Sequence, residues 1–214
     1  MALTRDQIIT LVMSRLDRDD LRSELETEIL LLQEQTLEGA PFKPWFLEQT
    51  DSNLVSMADT ETIALPSGFL RLQEEMPLAR YDSSITAPDK WVLVKKDFYQ
   101  AISDYYFGRD TGAPEKFALQ AASLALRPIP DAVYTFRLRY YKRDVALSSD
   151  IANNWTANAA DVVIAELCKI GAQIYLKDEL MVEKFDAQSR MAWDRLRRER
   201  VARQMAGMDM EMGD

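Results

Sequence analysis

Apolar positions near the N-terminus recur at three- and four-residue intervals, the spacing that lines side chains along one face of an α-helix. Thr4 stands where an N-cap is needed, with Asp6 and Gln7 in the first turn. Ile8, Leu11, Val12 and Leu16 then share a face of a helix ending near Asp17. Asp19 or Asp20 is placed to cap a second helix, in which Leu21, Leu25, Ile29, Leu32 and Thr36 recur. Gly39 followed by Pro41 stops it. Acidic side chains dominate the outer surface of this pair, as on an ordinary solvated face.

The period then changes. Trp45-Phe46-Leu47 and Asn53 to Met57 read as two short strands joined through Gln49-Thr50-Asp51-Ser52. Thr60 to Ala64 adds a third before a Leu65-Pro66-Ser67-Gly68 turn, and Pro77 to Tyr81 is a further fragment. Pro44, Pro66, Pro77 and Pro88 keep these strands short or at sheet edges, because proline has no ladder donor. Asp97, Phe98, Ile102, Tyr105 and Tyr106 suggest a short aromatic helix closing against the sheet, ended by Phe107-Gly108.

The clearest period-2 signal lies between Gly112 and Tyr141. Phe117 and Leu119, then Leu124 and Leu126, alternate with smaller or polar residues around a hairpin connection at Ala121-Ala122-Ser123. Pro128-Ile129-Pro130-Asp131 breaks the pairing. Tyr134, Phe136, Leu138 and Tyr140 then point one way, and Thr135, Arg137, Arg139 and Tyr141 the other. Three antiparallel strands, with a wet face bearing two arginines, are the economical reading.

Helical spacing returns after the sheet. Asn153, Asn154, Thr156 or Asn158 is available as a cap, with Asp161 as a capping-box-like partner, and Val163, Leu167, Ile170 and Ile174 form an apolar stripe. Lys177-Asp178-Glu179 is a turn or a point of continuous helix. The last helix runs to about Gln204 with Met181, Phe185, Gln188, Ala192 and Leu196 inward. Beyond Ala206-Gly207, Met208, Asp209, Met210, Glu211 and Met212 alternate without a packing period, as in a mobile terminus. These faces predict an α+β fold. Residues 1–40 and 149–204 form an antiparallel helical bundle, 41–148 a β-rich insertion with a short helix near 95–107, and 205–214 a flexible tail.

Composition narrows the chemistry. The chain has 214 residues, 47% of them hydrophobic and 29% charged, as in ordinary globular proteins. A net charge of −9 argues against a protein whose main work is gripping nucleic-acid phosphates. Cys168 is alone, so no disulfide forms within the chain, which fits a reducing compartment. No apolar run approaches the ~20 residues that span a bilayer, and the first residues do not read as a secretory signal. The sequon Asn154-Trp155-Thr156 is then coincidental.

There is no histidine, which removes the commonest general base and most zinc sites. No glycine-rich phosphate loop is present. Asp19-Asp20 and Glu74-Glu75 are adjacent pairs whose members diverge, and Asp17, Asp19 and Asp20 lack the glycine and terminal glutamate of a calcium loop. No catalytic residue, metal or cofactor is expected. The sharpest charged feature is Arg190, Arg195, Arg197, Arg198, Arg200 and Arg203, interleaved only with Asp194 and Glu199. One reading is an exposed helix end favoured by the macrodipole. Another is docking on an acidic partner, to which a following run of adaptable methionines contributes.

Gly112-x-Pro114-x-x-Phe117, Leu124-x-Leu126-x-Pro128-x-Pro130-Asp131 and Tyr134-x-x-x-Leu138-x-Tyr140-Tyr141 occur in the order found in a known family. With Leu65-Pro66-Ser67-Gly68-Phe69-Leu70 upstream and Trp155 after the sheet, the chain over roughly residues 3 to 200 resembles the head-to-tail adaptor (tail tubular protein A-like) proteins of short-tailed bacteriophages. The resemblance implies a structural virion protein, assembled in the host cytoplasm. It implies a ring, twelve-fold in this family, between the capsid portal protein and the downstream tail tube (nozzle) protein. The portal-binding segment becomes Arg190 to Asp214, with Arg190, Arg195, Arg197, Arg198, Arg200, Arg203, Met205, Met208, Met210 and Met212 as the contacting residues. Loops within 41–90 become the tail-facing surface. Double-stranded DNA passes through the lumen without specific binding, so the channel wall is expected to be neutral or acidic. Truncation after Ala187 is expected to spare the fold and abolish portal attachment.

Two rivals come from other classes. One is a nucleic-acid-binding regulatory protein using the arginine-rich helix; net negative charge and the lack of a helix-turn-helix signature weigh against it. The other is a carboxylate acid–base enzyme, for which no converging constellation is visible.

Overall fold

The computed structural model describes residues 2–74, 76–85, 90–105, 110–148 and 151–211. In chain order the elements begin with α1 (Arg5–Leu16) and α2 (Arg22–Leu31), the latter running on as a wider π-helical turn, Leu32–Leu37. A 3-10 turn at Trp45–Leu47 leads into β1 (Glu48–Val55), β2 (Thr62–Ala64), β3 (Phe69–Leu72), β4 (Leu78–Tyr81), β5 (Trp91–Leu93) and β6 (Lys95–Lys96). After α3 (Tyr99–Tyr105) come β7 (Thr111–Gly112), β8 (Lys116–Gln120), β9 (Ser123–Arg127), β10 (Ile129–Pro130) and β11 (Thr135–Lys142). The chain closes with α4 (Asn154–Asn158), α5 (Ala160–Gly171), a π turn at Ala172–Leu176, and α6 (Glu179–Glu211). The fold is α+β. No described helix is long and apolar enough to cross a membrane.

Two compact units are present, residues 1–47 with 143–214, and residues 48–142. In the first, α5 packs against α1, α2 and α6. A capping box between Thr4 and Gln7 starts α1, as its sequence requires. The start of α2 differs from expectation: Leu21 occupies the cap position without a side-chain bond, and Asp20 instead accepts a bidentate pair from Arg18 at 2.6 Å. Gly39 stops this arm for a steric reason, since a Cβ there would lie 2.1 Å from the carbonyl oxygen of Gln35.

Asn153 caps α4 in a box with Thr156, while the expected partner Asp161 stands in the first turn of α5 and pairs with Arg195. The stripe on α5 is broader than predicted, because Val162, Val163, Ile164, Ala165, Leu167 and Cys168 are all buried. The widened turn after Gly171 takes Ile174 out of that stripe and leaves it half exposed. Gly171 lets α1 approach closely; a Cβ there would sit 2.5 Å from Cδ1 of Leu16.

The buried Gln33 ties the returning segment to the first helical arm. Its amide donates to the Glu38 carboxylate and the Val145 carbonyl, and its Oε1 accepts from Leu147 N–H and Asn153 Nδ2. Glu38 also accepts from Arg143 at 2.9 Å and from the Asp144 amide. Each buried polar group here has a partner, as burial demands.

In the second unit the two larger sheets share one core. One sheet runs β1-β11-β4-β5, with β3 also on β11, and the other runs β2-β9-β8-β6. Leu72, Leu78, Phe136, Leu138 and Tyr140 from the first meet Ile63, Phe117, Leu124 and Leu126 from the second. Two expectations are corrected. Trp45–Leu47 is helical and Gln49–Ser52 lies within the single strand β1, because pairing with β11 overrides the weak strand propensity of Gln, Asp and Ser. The third strand of the predicted group, β11, joins the sheet opposite the β8–β9 hairpin, after β10 has paired in parallel with β7. Its arginine face is not fully wet either, since Arg137 lies over Trp91 at 4.8 Å. Ile102 of α3 is buried, Phe98 is exposed, and Tyr106, Phe107 and Gly108 fall outside the described residues.

Candidate protein-binding site

Helical spacing gives α6 an inner stripe of Phe185, Ser189, Ala192 and Leu196, all buried; the predicted Met181 and Gln188 are half-buried at its margins. Glu166 on α5 fastens the stripe by accepting from Ser189 Oγ at 2.6 Å and Trp193 Nε1 at 3.0 Å. Trp193 begins a run of edge-to-face aromatic contacts. Phe42 meets Trp193 at 6.3 Å, Trp193 meets Trp155 at 5.9 Å, Trp155 meets Phe46 at 5.1 Å, and Phe46 meets Trp45 at 5.7 Å. Such pairs add about 0.5–1.5 kcal/mol each beyond the area they bury.

The arginine row lies along this aromatic run, and the structure sorts it into distinct environments. Arg195 makes a bidentate pair with Asp161 at 2.6 and 3.0 Å and reaches Glu199 at 2.6 Å. The Asp161 contact raises its pKa further above its already high ordinary value. Arg200 donates to the Lys43 carbonyl and lies 5.8 Å from the Phe42 ring centre, while Arg203 stacks 3.6 Å from that of Trp45. Lys43 in turn donates to the Glu38 and Ala40 carbonyls, holding the segment in shape. These three arginines serve the first unit's own packing.

Arg190, Arg197 and Arg198 face outward. Arg190 pairs with Asp186 at 2.6 Å, and Lys169 and Arg190 together hold the Asp186 carboxyl below its usual pKa. Arg197 pairs with Asp194 at 3.0 Å, and Arg198 donates to the Asp194 carbonyl. Such exposed pairs contribute at most about 1 kcal/mol and are readily exchanged for a partner's carboxylates. Arg190 and Arg197 rim an open groove of about 510 Å³ floored by Phe42 and Trp193.

No described residue of α6 after Leu196 is buried, and Met205 is 63% exposed. The helix continues past Gln204 through Glu211, so Met208 and Met210 fall within it, while Met212 lies outside the described residues. The sequence reading missed the clasp made by Phe42 and Trp45. Its signal was there: Arg197, Arg200 and Arg203 at three-residue spacing, to be matched with aromatics flanking Pro44.

Elsewhere the acidic pairs do not converge. Asp20 is occupied by Arg18, whose hydrogen bond lowers its carboxyl to about 2. Glu74 reaches Arg71 at 3.6 Å, and Glu75 is outside the described residues. Among the described residues no group of three or more His, Cys, Asp or Glu is placed to hold a metal.

Braced along its inner face by Glu166 and along the aromatic run by Phe42 and Trp45, α6 keeps Arg190 and Arg198 on its outer side. A family model described as SU10 adaptor protein matches residues 3–213, and the chain belongs to that family, the head-to-tail adaptors of bacteriophages. It is a phage structural protein and a component of the virion. No curated protein matches the chain.

Proposed function

We propose that the protein forms a ring at the head–tail junction, joining the capsid portal to the tail tube and giving passage to the genome. Twelve copies suit the family likeness. The observation carrying this reading is α6, which continues as a helix to Glu211, beyond Leu196, the last of its described residues to be buried, with Val201, Ala202, Arg203 and Met205 exposed. In this reading Arg198, Met205 and the helix beyond them engage the portal, with Arg190 and Arg197 at the groove. Arg195, Arg200 and Arg203 hold the helix at the angle from which it is presented. The β-rich unit carries the surface for the tail component. Net charge −9 suits a lumen through which DNA slides without being held.

The ion pairs within the arginine row weigh against the regulatory DNA-binding alternative, because each carboxylate beside an arginine repels a phosphate. A pull-down with immobilised portal tests the proposal. The full chain should be retained in a complex whose mass corresponds to one adaptor per portal subunit. A chain ending at Arg203 should fold with unchanged melting temperature and be lost in the wash. Undiminished retention of that shortened chain rules the assignment out.

A further inference from the structure

The face of α6 opposite its buried stripe has a pattern of its own. Ala187, Met191, Asp194, Arg198, Val201 and Met205 follow one another at alternating steps of four and three, the spacing of a coiled-coil seam, and the sequence carries it on to Met208. All six are exposed; Met191, Val201 and Met205 are 64%, 50% and 63% accessible. A helix end that served only to meet water would not need Met, Val and Met at seam positions. The oppositely charged pair, Asp194 and Arg198, stands in the middle.

The geometry points to a second copy of this chain as the occupant, its α6 packed on this one in the antiparallel direction. Centred between Asp194 and Arg198, an antiparallel pair sets Asp194 against the partner copy's Arg198 and, by two-fold symmetry, Arg198 against its Asp194. The same register sets Met191 against Val201 and Ala187 against Met205, so each apolar position meets an apolar one. A parallel in-register pair would instead oppose Asp194 to Asp194 and Arg198 to Arg198. Charged positions choose orientation in this way. Of the neighbouring cations, Arg195 is drawn off the seam onto Asp161, while Arg197 lies over Phe42 at 5.9 Å and pairs with Asp194 at 3.0 Å, a contact that the partner copy's Arg198 would replace.

This pairing stands independently of the ring. It covers Arg198 and Met205, two residues proposed above to meet the portal, and so defines a resting form that the portal has to open.

Sedimentation equilibrium on the full chain tests it. A concentration-dependent dimer is expected below about 1 mM. Asp194→Arg and Arg198→Asp should each weaken it at least about tenfold, and the double exchange should restore it. Mixing Met191→Cys with Val201→Cys chains under oxidation should give the mixed cross-link in preference to either self-link. A monomer throughout that range, a double exchange that fails to restore pairing, or predominant 191-to-191 links would each overturn the proposal. A persistently monomeric chain that still binds portal removes the pairing alone and leaves the adaptor reading in place. All the altered positions are exposed, and unchanged melting temperatures control for folding.

Discussion

The guanidinium of Arg203 stacks 3.6 Å from the centre of the Trp45 ring, so a cation far along α6 is held by the segment that follows α2. Together with Arg200 on the Lys43 carbonyl, this contact extends the hold on α6 beyond its last buried residue. A cation on an indole face contributes about 0.5–2 kcal/mol, depending on its desolvation. Arg203→Gln should therefore lower the melting temperature by about 2–6 °C, measured by circular dichroism. No change would mean that the stacking contributes nothing to the fold.

Gln33 is the polar centre of the first unit. Replacing it with Met keeps the volume but leaves the Leu147 amide and the Asn153 side chain short of an acceptor. Each buried group so orphaned costs about 1–3 kcal/mol. The urea midpoint of Gln33→Met should fall correspondingly, with the slope unchanged. Stability equal to the parent would show that water reaches these groups.

Gly171→Ala sets two effects against each other. Alanine gains up to about 1 kcal/mol of helix propensity, while overpacking against Leu16 costs about 1–3 kcal/mol. The contact involves the methyl of a buried leucine at a helix end, so we expect net destabilisation. Combining the change with Leu16→Val should recover part of it. A stabilised Gly171→Ala protein would contradict the close approach of α1 and α5.

Cys168 is fully buried, and burial pushes its thiol up to about 11 from 9.0. The folded form thus favours the neutral thiol. Its contribution to stability is complete below the unfolded pKa and is lost as pH rises through about 11. Thiol reagents at pH 8 should label it only at the rate of unfolding. Immediate labelling of native protein would place the sulfur at the surface.

Truncation after Ala187 removes Ser189, Ala192, Trp193 and Leu196, which cover one side of α5. A buried leucine or tryptophan alone is worth about 2–5 kcal/mol, against a total stability of about 5–15 kcal/mol. That truncation should abolish cooperative unfolding, contrary to what the arginine-rich sequence alone suggests. A sharp melt from the truncated chain would refute this.

The helices were legible because their inner apolar residues recur at helical spacing; Phe185, Ala192 and Leu196 stand out without any structure. The N-cap at Thr4 and the β8–β9 hairpin were readable because they are local in sequence. What could not be read depended on distant partners. Glu48 to Val55 has poor strand propensity and becomes a strand only because β11 pairs with it. The methionines beyond Gly207 alternate with acids in sequence, which hides that the backbone runs on as helix through Met208 and Met210. Arg203 reads as a surface charge until Trp45 is brought beneath it.

Glu48 and Tyr141 face each other in the β1–β11 ladder. The chain therefore enters and leaves the β-rich unit through adjacent strands, whose paired α-carbons lie only about 5 Å apart. A segment whose two ends meet so closely can be grafted between hosts as a cassette, or replaced by a linker of a few residues, without prying its attachment points apart. Recombination then has a cut site ready made, at which one β-rich unit is exchanged for another while the helices of the first unit are left alone.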